Sequence, residues 1–198
     1  ARTSTTSHLW TKRFEALNDI GSANAPVTEA PRETFILYKK PSESFVEVYY
    51  PFATDKKLAD EYVNVYGHIR FGKILEDMDA CAGNISYLQA DDNNPNTRPL
   101  GVVTASVDRI DLLDKLLLDR DMVMRGNVSY VGTSSMEVSI NLQSKHPETN
   151  QFYPLMLATF TIVALSGGKP VPVNKVVPST EEEKFLFAVG EGLFSSQI

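Results

Sequence analysis

HIRFGKILEDMDACAGNISYL, residues 68–88, is predicted to form one helix, and this stretch decides the fold of the chain. Apolar residues recur along it at intervals of three and four, a spacing that places them on one face of an α-helix. The residues on that face are Phe71, Ile74, Leu75, Met78, Ala82 and Ile85. So long an apolar face needs other apolar surface to cover it, and we expect the remaining elements to wrap around this helix.

A second stripe of residues runs along the helix beside the apolar face: Gly72, Glu76, Asp79 and Gly83. Glycine costs a helix roughly 1 kcal/mol relative to alanine. Because it has no side chain, it lets another backbone or a ligand approach the helix closely. Asp79 borders the apolar face, where loss of hydration raises the affinity of a carboxylate for a proton. This is the setting of a general base or a nucleophile. The alternative is a solvated place on the edge of an ordinary amphipathic helix.

The composition excludes several classes of site. The chain has 198 residues, enough for one domain, and its net charge of −6 presents no basic field to nucleic acid. Its single cysteine, Cys81, excludes an internal disulfide and a cysteine-based metal site, and we expect it to be a small buried side chain. The histidines lack ligand spacing, so we expect no metal. No apolar run reaches the roughly 20 residues that span a membrane.

Five stretches have the β-branched and aromatic composition, or the alternation of apolar and polar residues, that predicts β-strands. They are residues 45–50, 101–112, 122–130, 136–143 and 152–165. Strict alternation in the second of these would place Val103 and Val107 on one face of the strand and Thr104 on the other.

Two shorter helices are expected on either side of these elements. Residues 55–62 are polar and helix-prone. Further on, Ser179 and Thr180 followed by Glu182 form a capping box, which opens a last helix. We expect Gly190 to end that helix.

The predicted order is one strand, the long helix and then four antiparallel strands. These strands need apolar cover on one face, and only the helix at residues 71–88 is long enough to supply it. An antiparallel sheet wrapped around one central helix is the hotdog fold, of the α+β class. We assign residues 44–190 to this domain, residues 1–43 to an N-terminal extension and residues 191–198 to a C-terminal tail or linker. The sheet edges should be covered by a second copy or a partner domain.

Residues 66–79, YGHIRFGKILEDMD, resemble the helix signature of the mitochondrial acyl-CoA thioesterases that are built from two hotdog repeats. Other stretches are similar to the same family: VTA at 103–105, VDRID at 107–111, VGTSSMEV at 131–138, ATF at 158–160 and PSTEEE at 178–183. The resemblance spans about residues 44–190 and is to the first, N-terminal repeat. Members of the family carry a second repeat downstream. The resemblance therefore implies a separated first half, a self-assembling unit, or a unit that pairs with another chain.

The resemblance also implies hydrolysis of acyl-CoA thioesters, with coenzyme A as part of the substrate and no separate cofactor. Asp79 matches the acid on the central helix, which is a base for water or a nucleophile that forms an anhydride. Amides near Phe71 and Gly72, where relatives have two glycines, would bind the carbonyl oxygen. Asn64 matches an asparagine that holds the carbonyl or the water. Alternatively Asn64 is a capping loop residue, and a partner repeat supplies the working amide.

Coenzyme A carries phosphates, so cationic and hydroxyl groups are expected at the mouth of the site. The candidates by position are Arg70, Arg109, Arg125, Thr133, Ser134 and Ser135. Each has an alternative role as a surface or sheet-stabilising residue. Near Asp79, we interpret Asp77 as a solvated charge opposite the apolar face and Glu76 as part of a structural salt bridge.

Two alternatives to hydrolysis remain open. A hotdog half can bind acyl-CoA without cleaving it, or only stabilise a partner repeat. A hotdog hydratase would need a histidine in the central helix, whereas His68 precedes it, which disfavours that activity. Residues 1–14 are basic, rich in serine and threonine and free of acids, like a mature end behind a mitochondrial presequence. We therefore expect the mitochondrial matrix.

Overall fold

The computed structural model describes residues 4–9, 11, 36–94 and 100–195. Its helices are α1 (Lys56–Tyr62), α2 (Phe71–Ala90) and α3 (Glu181–Ser195). Its strands are β1 (Tyr38–Lys39), β2 (Val46–Tyr50), β3 (Gly101–Leu112), β4 (Met122–Val131), β5 (Ser135–Lys145), β6 (Phe152–Ser166), β7 (Lys169–Pro170) and β8 (Lys175–Val176). A 3-10 turn, Pro41–Ser44, precedes β2, and residues 4–9 are helical.

One antiparallel sheet has the strand order β2, β4, β5, β6, β3, and β7 pairs with the end of β6. The sheet curls around α2, which contacts β3, β4, β5 and β6. Ile74, Met78 and Ile85 project from α2 into the core, where each is at most 1% exposed. The predicted α+β hotdog fold is therefore confirmed.

The sheet comes close to α2 at Gly126 of β4. A Cβ atom at this position would lie 2.8 Å from Cδ1 of Ile85 and 2.8 Å from the carbonyl oxygen of Ser139. Both distances are too short for a van der Waals contact, so a larger residue would push the sheet away from the helix. Because side chains alternate along a strand, the neighbouring Arg125 points to the outer face of the sheet.

The carboxyl end of α2 is capped from two distant parts of the chain. Lys39 of β1 is buried and donates from Nζ to the carbonyls of Leu88, at 2.7 Å, and Asp91, at 2.6 Å. Asn174, just before β8, donates from Nδ2 to the carbonyls of Gln89, at 2.9 Å, and Asp91, at 2.7 Å. These bonds satisfy carbonyls that a helix end leaves without partners.

Two helix boundaries differ from the prediction. The central helix α2 begins at Phe71 and not three residues earlier, because an antiparallel bridge between Val63 and Ile69 closes a loop before it. The last helix, α3, continues beyond Gly190. Gly190 lies against the sheet, where an added Cβ would be 2.5 Å from Cβ of Tyr130. Close packing, and not helix termination, explains this glycine.

The edge strand β3 departs from the strict alternation predicted for it. Shifts of register fall between Thr104 and Ser106 and between Val107 and Arg109. Each shift inserts one residue, so Thr104, Val107 and Ile110 all pair with alternate, buried residues of β6. The prediction that Val107 lies on the face opposite Thr104 is wrong, because the bulges return it to the side that faces α2.

The helical residues 4–9 pack against the core. Leu9 is 3% exposed, and its carbonyl accepts a hydrogen bond from Nδ2 of Asn84 on α2 at 3.2 Å. Cys81 of α2 is fully buried, as predicted. Burial, with the nearby charge of Asp77, raises the pKa of its thiol to about 12, so the thiol stays protonated and unreactive at neutral pH. Within the described ranges, no helix has the length and apolar character to cross a membrane.

Candidate active site

Asp79 lies on α2 where the helix faces the first residues of β3. The residue is half-buried, and its Oδ1 accepts a hydrogen bond from the hydroxyl of Thr104 at 2.7 Å. Within the described part of the chain, its Oδ2 has no hydrogen-bond partner. The sheet thus fixes one carboxylate oxygen and leaves the other able to take a proton or to attack a carbon atom.

The loop at residues 64–68, here called the Asn64 loop, holds the second predicted catalytic residue. Asn64 Oδ1 accepts hydrogen bonds from the backbone amides of Tyr66, at 2.9 Å, and His68, at 3.0 Å. These bonds fix the side-chain amide, whose Nδ2 has no partner among the described residues and remains a donor. Asn64 therefore organises its own loop and does not cap α2, whose N-cap residue is Arg70.

The start of α2 is open. Arg70 provides no side-chain cap, and both Phe71 and Gly72 are exposed. A Cβ atom added to Gly72 would meet none of the described atoms within 4 Å. The first amides of a helix lack partners inside it and carry partial positive charge. This end of α2 can therefore bind a carbonyl oxygen or an anion.

Among the described residues, no hydrogen bond joins the three predicted parts of the site. Gly72 and Asp79 lie two turns apart on α2, roughly 10.5 Å along the axis at about 1.5 Å per residue. Among the described residues, no hydrogen bond joins Asn64 to Asp79. The acid and the candidate donors are thus held by separate sets of hydrogen bonds.

An exposed apolar surface continues from Thr104 along the edge of the sheet. Val107, Ile110 and Leu112, which we call the β3 row, lie on the side that faces α2 and are 48%, 38% and 56% exposed. In the described chain β3 is the last strand on this side of the sheet, so its outer backbone groups have no strand partner. A long, apolar, unpaired edge is suited to pairing with another polypeptide.

The predicted arginines lie in different places. Arg70 is exposed beside the helix start and donates from Nη2 to the carbonyl of Glu61 at 3.1 Å. Arg109 is exposed on the outer face of β3 and forms an ion pair of 2.6 Å with Asp111. Arg70 therefore adjoins the open helix start, whereas Arg109 lies on the far side of the sheet from α2.

Arg125 also lies on the outer face, on the side of the sheet opposite Asp79. Its Nε binds the carboxylate of Glu47 at 2.6 Å, and its Nη1 donates to Oε1 of Gln143 at 2.8 Å. Its guanidinium lies 5.4 Å from the centre of the Phe152 ring. These cross-strand contacts match the alternative, sheet-stabilising role, and the structure does not bring Arg125 to the site.

The turn between β4 and β5 holds Thr133 and Ser134, and Ser135 begins β5. Ser135 pairs with Val163 of β6, and Val163 pairs with Val103 of β3, the residue before Thr104. At the usual spacing of about 4.8 Å between strands, the turn lies roughly 10 Å from Thr104. The hydroxyl groups of this turn therefore share the end of the sheet with the candidate site.

Asp77 is not the solvated charge that its position on the helix predicts. It is fully buried, and its carboxylate accepts hydrogen bonds from the hydroxyls of Thr6, Tyr62 and Tyr50, the last at 3.2 Å. Burial and the charge of Asp77 hold the pKa of Tyr50 well above its usual value, so this hydroxyl remains a donor. Glu76, in contrast, forms an ion pair of 2.9 Å with Lys73.

Sequence reasoning missed Thr104 as part of the site. It lies within a stretch that carries the family resemblance, yet the alternation of β3 assigned it only a strand face. The available signal was a hydroxyl residue between apolar neighbours on a predicted strand. Its contact with Asp79 depends on the packing of β3 against α2, which no local pattern shows.

Known proteins with similar sequences include acyl-coenzyme A thioesterases. No protein-family model matches the sequence. The chain is 39% identical over 193 residues to chloroplastic acyl-coenzyme A thioesterase 2 of Humulus lupulus, across 94% of this chain and 43% of the relative. It is 36% identical over 156 residues to mitochondrial acyl-coenzyme A thioesterase 9 of Mus musculus, across 77% and 35%. The chain thus spans less than half the length of these curated relatives.

Solved structures agree with the fold. The acyl-CoA hydrolase of Staphylococcus aureus in complex with butyryl coenzyme A is 25% identical, with a TM-score of 0.67 across 81% of this chain and 90% of that chain. A hexameric acyl-CoA thioesterase is 27% identical, with a TM-score of 0.67 across 81% and 95%. Further structures of the Staphylococcus aureus protein carry alanine in place of an aspartate or a threonine.

Proposed function

We propose that this chain, a homologue of the acyl-CoA thioesterases, hydrolyses acyl-CoA thioesters to free coenzyme A and a carboxylic acid. One observation carries the proposal: Asp79 is half-buried, with one oxygen held by Thr104 at 2.7 Å and the other without a partner among the described residues. The names of the relatives and the butyryl coenzyme A bound to a structural neighbour support the substrate class.

Asp79 acts on water in the general-base route. As the water oxygen attacks the thioester carbon, the carboxylate takes a proton from it, and the carbonyl electrons move to the oxygen. The tetrahedral intermediate then collapses, and the carbon–sulfur bond breaks with its electron pair on the sulfur of coenzyme A. In the nucleophilic route Asp79 attacks the carbon itself, expels the thiolate and forms an anhydride that water cleaves. Both routes use the unpartnered Oδ2.

The negative charge on the carbonyl oxygen needs donors. Nδ2 of Asn64 and the open amides near Phe71 and Gly72 are suited to this role. Since no hydrogen bond joins these donors to Asp79 among the described residues, we propose that a second hotdog unit brings its own set to Asp79. The exposed β3 row and the hexameric state of a structural neighbour support such a shared site.

Coenzyme A would enter from the open end of α2. Arg70 is exposed there and offers charge to a phosphate, and the hydroxyls of Thr133, Ser134 and Ser135 lie at the same end of the sheet as Thr104. Arg109 and Arg125 lie on the outer face, so we give them no contact with substrate bound at Asp79.

The test is the release of free coenzyme A from a series of acyl-CoA esters by the full chain, measured with a thiol reagent. We expect Asp79→Ala to lower the rate by about 100-fold or more, because a positioned base contributes about that factor. Glu76→Ala is the matched control, one turn earlier on the same stripe, and should stay near the wild-type rate. Unchanged hydrolysis by Asp79→Ala would remove this residue from the mechanism.

A second candidate is a non-catalytic hotdog half that binds acyl-CoA or stabilises a partner repeat. It is favoured by the lack of any hydrogen bond, among the described residues, between Asp79 and the donors at Asn64. Hydrolysis that appears only after a second hotdog repeat is added would indicate a split site. Binding of acyl-CoA without hydrolysis in both samples would favour the non-catalytic role. Native mass measurement on the same samples gives the assembly.

We propose that the protein acts in the mitochondrial matrix. The basic, hydroxyl-rich residues 1–14 and the mitochondrial thioesterase of Mus musculus support this, whereas the relative from Humulus lupulus is chloroplastic. Imaging of the natural full-length protein with mitochondrial and plastid markers tests the assignment, and a plastid signal would contradict it.

A further inference from the structure

Asp77 joins separate parts of the chain through one buried carboxylate. Tyr50 at the end of β2 and Tyr62 at the end of α1 both donate to its Oδ2, and Thr6 donates to its Oδ1. The two tyrosines and Asp77 are each at most 1% exposed. Buried hydrogen bonds in a low-dielectric interior hold their partners in one geometry, because water does not compete for them.

Tyr62 carries this constraint toward the candidate site. Asn64 follows it by two residues, and the antiparallel bridge that closes the Asn64 loop begins at the residue between them. The carbonyl of Tyr62 accepts a hydrogen bond from the amide of Arg70, the N-cap of α2, at 2.7 Å. Tyr62 is therefore bonded to the start of α2 through its backbone and to the middle of α2 through its hydroxyl.

We propose that Asp77 and Tyr62 are a positioning pair, whose buried bond holds the Asn64 loop in one place relative to α2 and Asp79. The inference rests on the proposed thioesterase function for its catalytic meaning. Tyr62 lies two residues before Asn64, and Asp77 lies two residues before Asp79, so one bond between the first two residues fixes the spacing of the second two. Neither member of the pair touches substrate, since both are buried in the core.

The pair acts in the same way whether the site is closed within one unit or shared. In a shared site, the Asn64 loop and the open helix start of one unit are presented to Asp79 of the other. A loop that drifts by an ångström then misplaces the donor for the carbonyl oxygen, an error that can cost about 100-fold in rate.

Tyr62→Phe tests the pair, because it removes one hydroxyl and keeps the ring in the core. Tyr50→Phe is the matched control: it removes another buried hydroxyl bonded to the same Oδ2, but its backbone belongs to β2 and not to the segment that leads into the Asn64 loop. We expect Tyr62→Phe to lower kcat by about 10- to 100-fold with KM changed less than about two-fold. Tyr50→Phe should keep kcat within about two-fold of wild type, while both variants lose a similar amount of melting temperature.

A double variant shows whether Tyr62 acts through Asn64. In the Asn64→Ala background, Tyr62→Phe should lower kcat further by less than about two-fold, because the group that it positions is already absent. A purely structural effect of Tyr62 would instead multiply with that of Asn64→Ala.

Hydrogen exchange reads the loop without any assay of activity. The amides of Tyr66 and His68, which bond to Asn64 Oδ1, should exchange about tenfold faster in Tyr62→Phe and at the wild-type rate in Tyr50→Phe. If the wild-type chain releases no coenzyme A, alone or with a second repeat, the proposed function is wrong. The exchange rates still test whether the Asp77–Tyr62 pair holds the Asn64 loop. Equal exchange in Tyr62→Phe and Tyr50→Phe, or multiplying effects with Asn64→Ala, would overturn the positioning pair.

Discussion

Asp77 and Asp79 stand two residues apart on α2, and a turn of roughly 100° per residue sends them to opposite sides of the helix. Asp77 enters the core and accepts buried hydroxyl groups, whereas Asp79 reaches the first residues of β3. One carboxylate therefore contributes to the stability of the fold, and the other is placed where it can act on a ligand. Replacement of Asp77 should therefore lower stability, and replacement of Asp79 should lower activity.

Replacement of Asp77 with alanine removes the acceptor of buried tyrosine hydroxyls, and an unsatisfied buried donor costs about 1–3 kcal/mol. We expect the free energy of unfolding of Asp77→Ala to fall by about 3 kcal/mol or more, measured by urea denaturation. Asp79→Ala, at a half-buried position, should lose less than about 1 kcal/mol. Comparable losses in the two variants would contradict the different roles.

Thr104 orients the carboxylate of Asp79 by a single hydroxyl bond of 2.7 Å. Thr104→Val keeps the β-branched shape and removes that donor, so we expect kcat for acyl-CoA hydrolysis to fall by about tenfold with little change in melting temperature. Thr104→Ser retains the hydroxyl and should retain most of the activity. Equal rates for the valine and serine variants would show that the bond does not matter.

Two glycines of α3 differ in what surrounds them, although both interrupt a helix. A Cβ at Gly190 would lie 2.5 Å from Cβ of Tyr130 and 3.0 Å from Oε1 of Glu137, whereas at Gly192 it would meet no described atom within 4 Å. Gly190→Ala should therefore destabilise the protein by about 1–3 kcal/mol. Gly192→Ala should be neutral or stabilise it by up to about 1 kcal/mol, because alanine favours the helix. Thermal unfolding of both variants makes the comparison.

Glu137 lies beneath α3 and gives this helix a dependence on pH. Burial raises the pKa of Glu137, against the opposing effect of a hydrogen bond from Ser129. Between about pH 4.3 and the raised pKa, the folded state then holds more protons than the unfolded chain, so the free energy of unfolding falls as pH rises through this range. Glu137→Gln should escape this loss, and its melting temperature relative to wild type should rise from pH 4 to pH 7.

Glu183, in the first turn of α3, is the control of opposite sign. Hydrogen bonds from the backbone amides of Thr180 and Ser179 lower its pKa, so it stabilises the fold above the usual glutamate pKa and loses this effect as pH falls. Glu183→Gln should therefore be less stable than wild type at pH 7 and nearly equal to it in acid. The same direction of change in both variants would contradict the two assignments.

The predictions from sequence held where a side-chain pattern repeats within one element. The period of the apolar residues predicted α2, and the alternation of β5 predicted one buried face, because each pattern reports directly on the core. The burial of Asp77 was not predictable, since its tyrosine partners lie 15 and 27 positions away in the chain. The side of β3 on which Val107 lies was likewise hidden, because its bulges follow from pairing with β6.

At the scale of the whole molecule, the β3 row is the surface where a second unit would add to this one. Val107→Lys places a charge at the end of the row nearest Thr104, and we expect the native mass to shift toward a monomer and acyl-CoA hydrolysis to be lost. Phe185→Lys, at a residue of α3 that is 67% exposed, is the matched control and should change neither. An unchanged assembly in Val107→Lys would rule out this edge as the interface.

The caps of Lys39 and Asn174 on the carboxyl end of α2 impose an order on co-translational folding. Residues 71–90 leave the exit tunnel before Asn174, so the carbonyls at the end of this helix cannot receive its amide until a segment 85 positions after Gln89 has been synthesised. Until then, the carboxyl end of the nascent helix lacks this cap. A chain truncated before Asn174 would leave these helix-end carbonyls exposed to water.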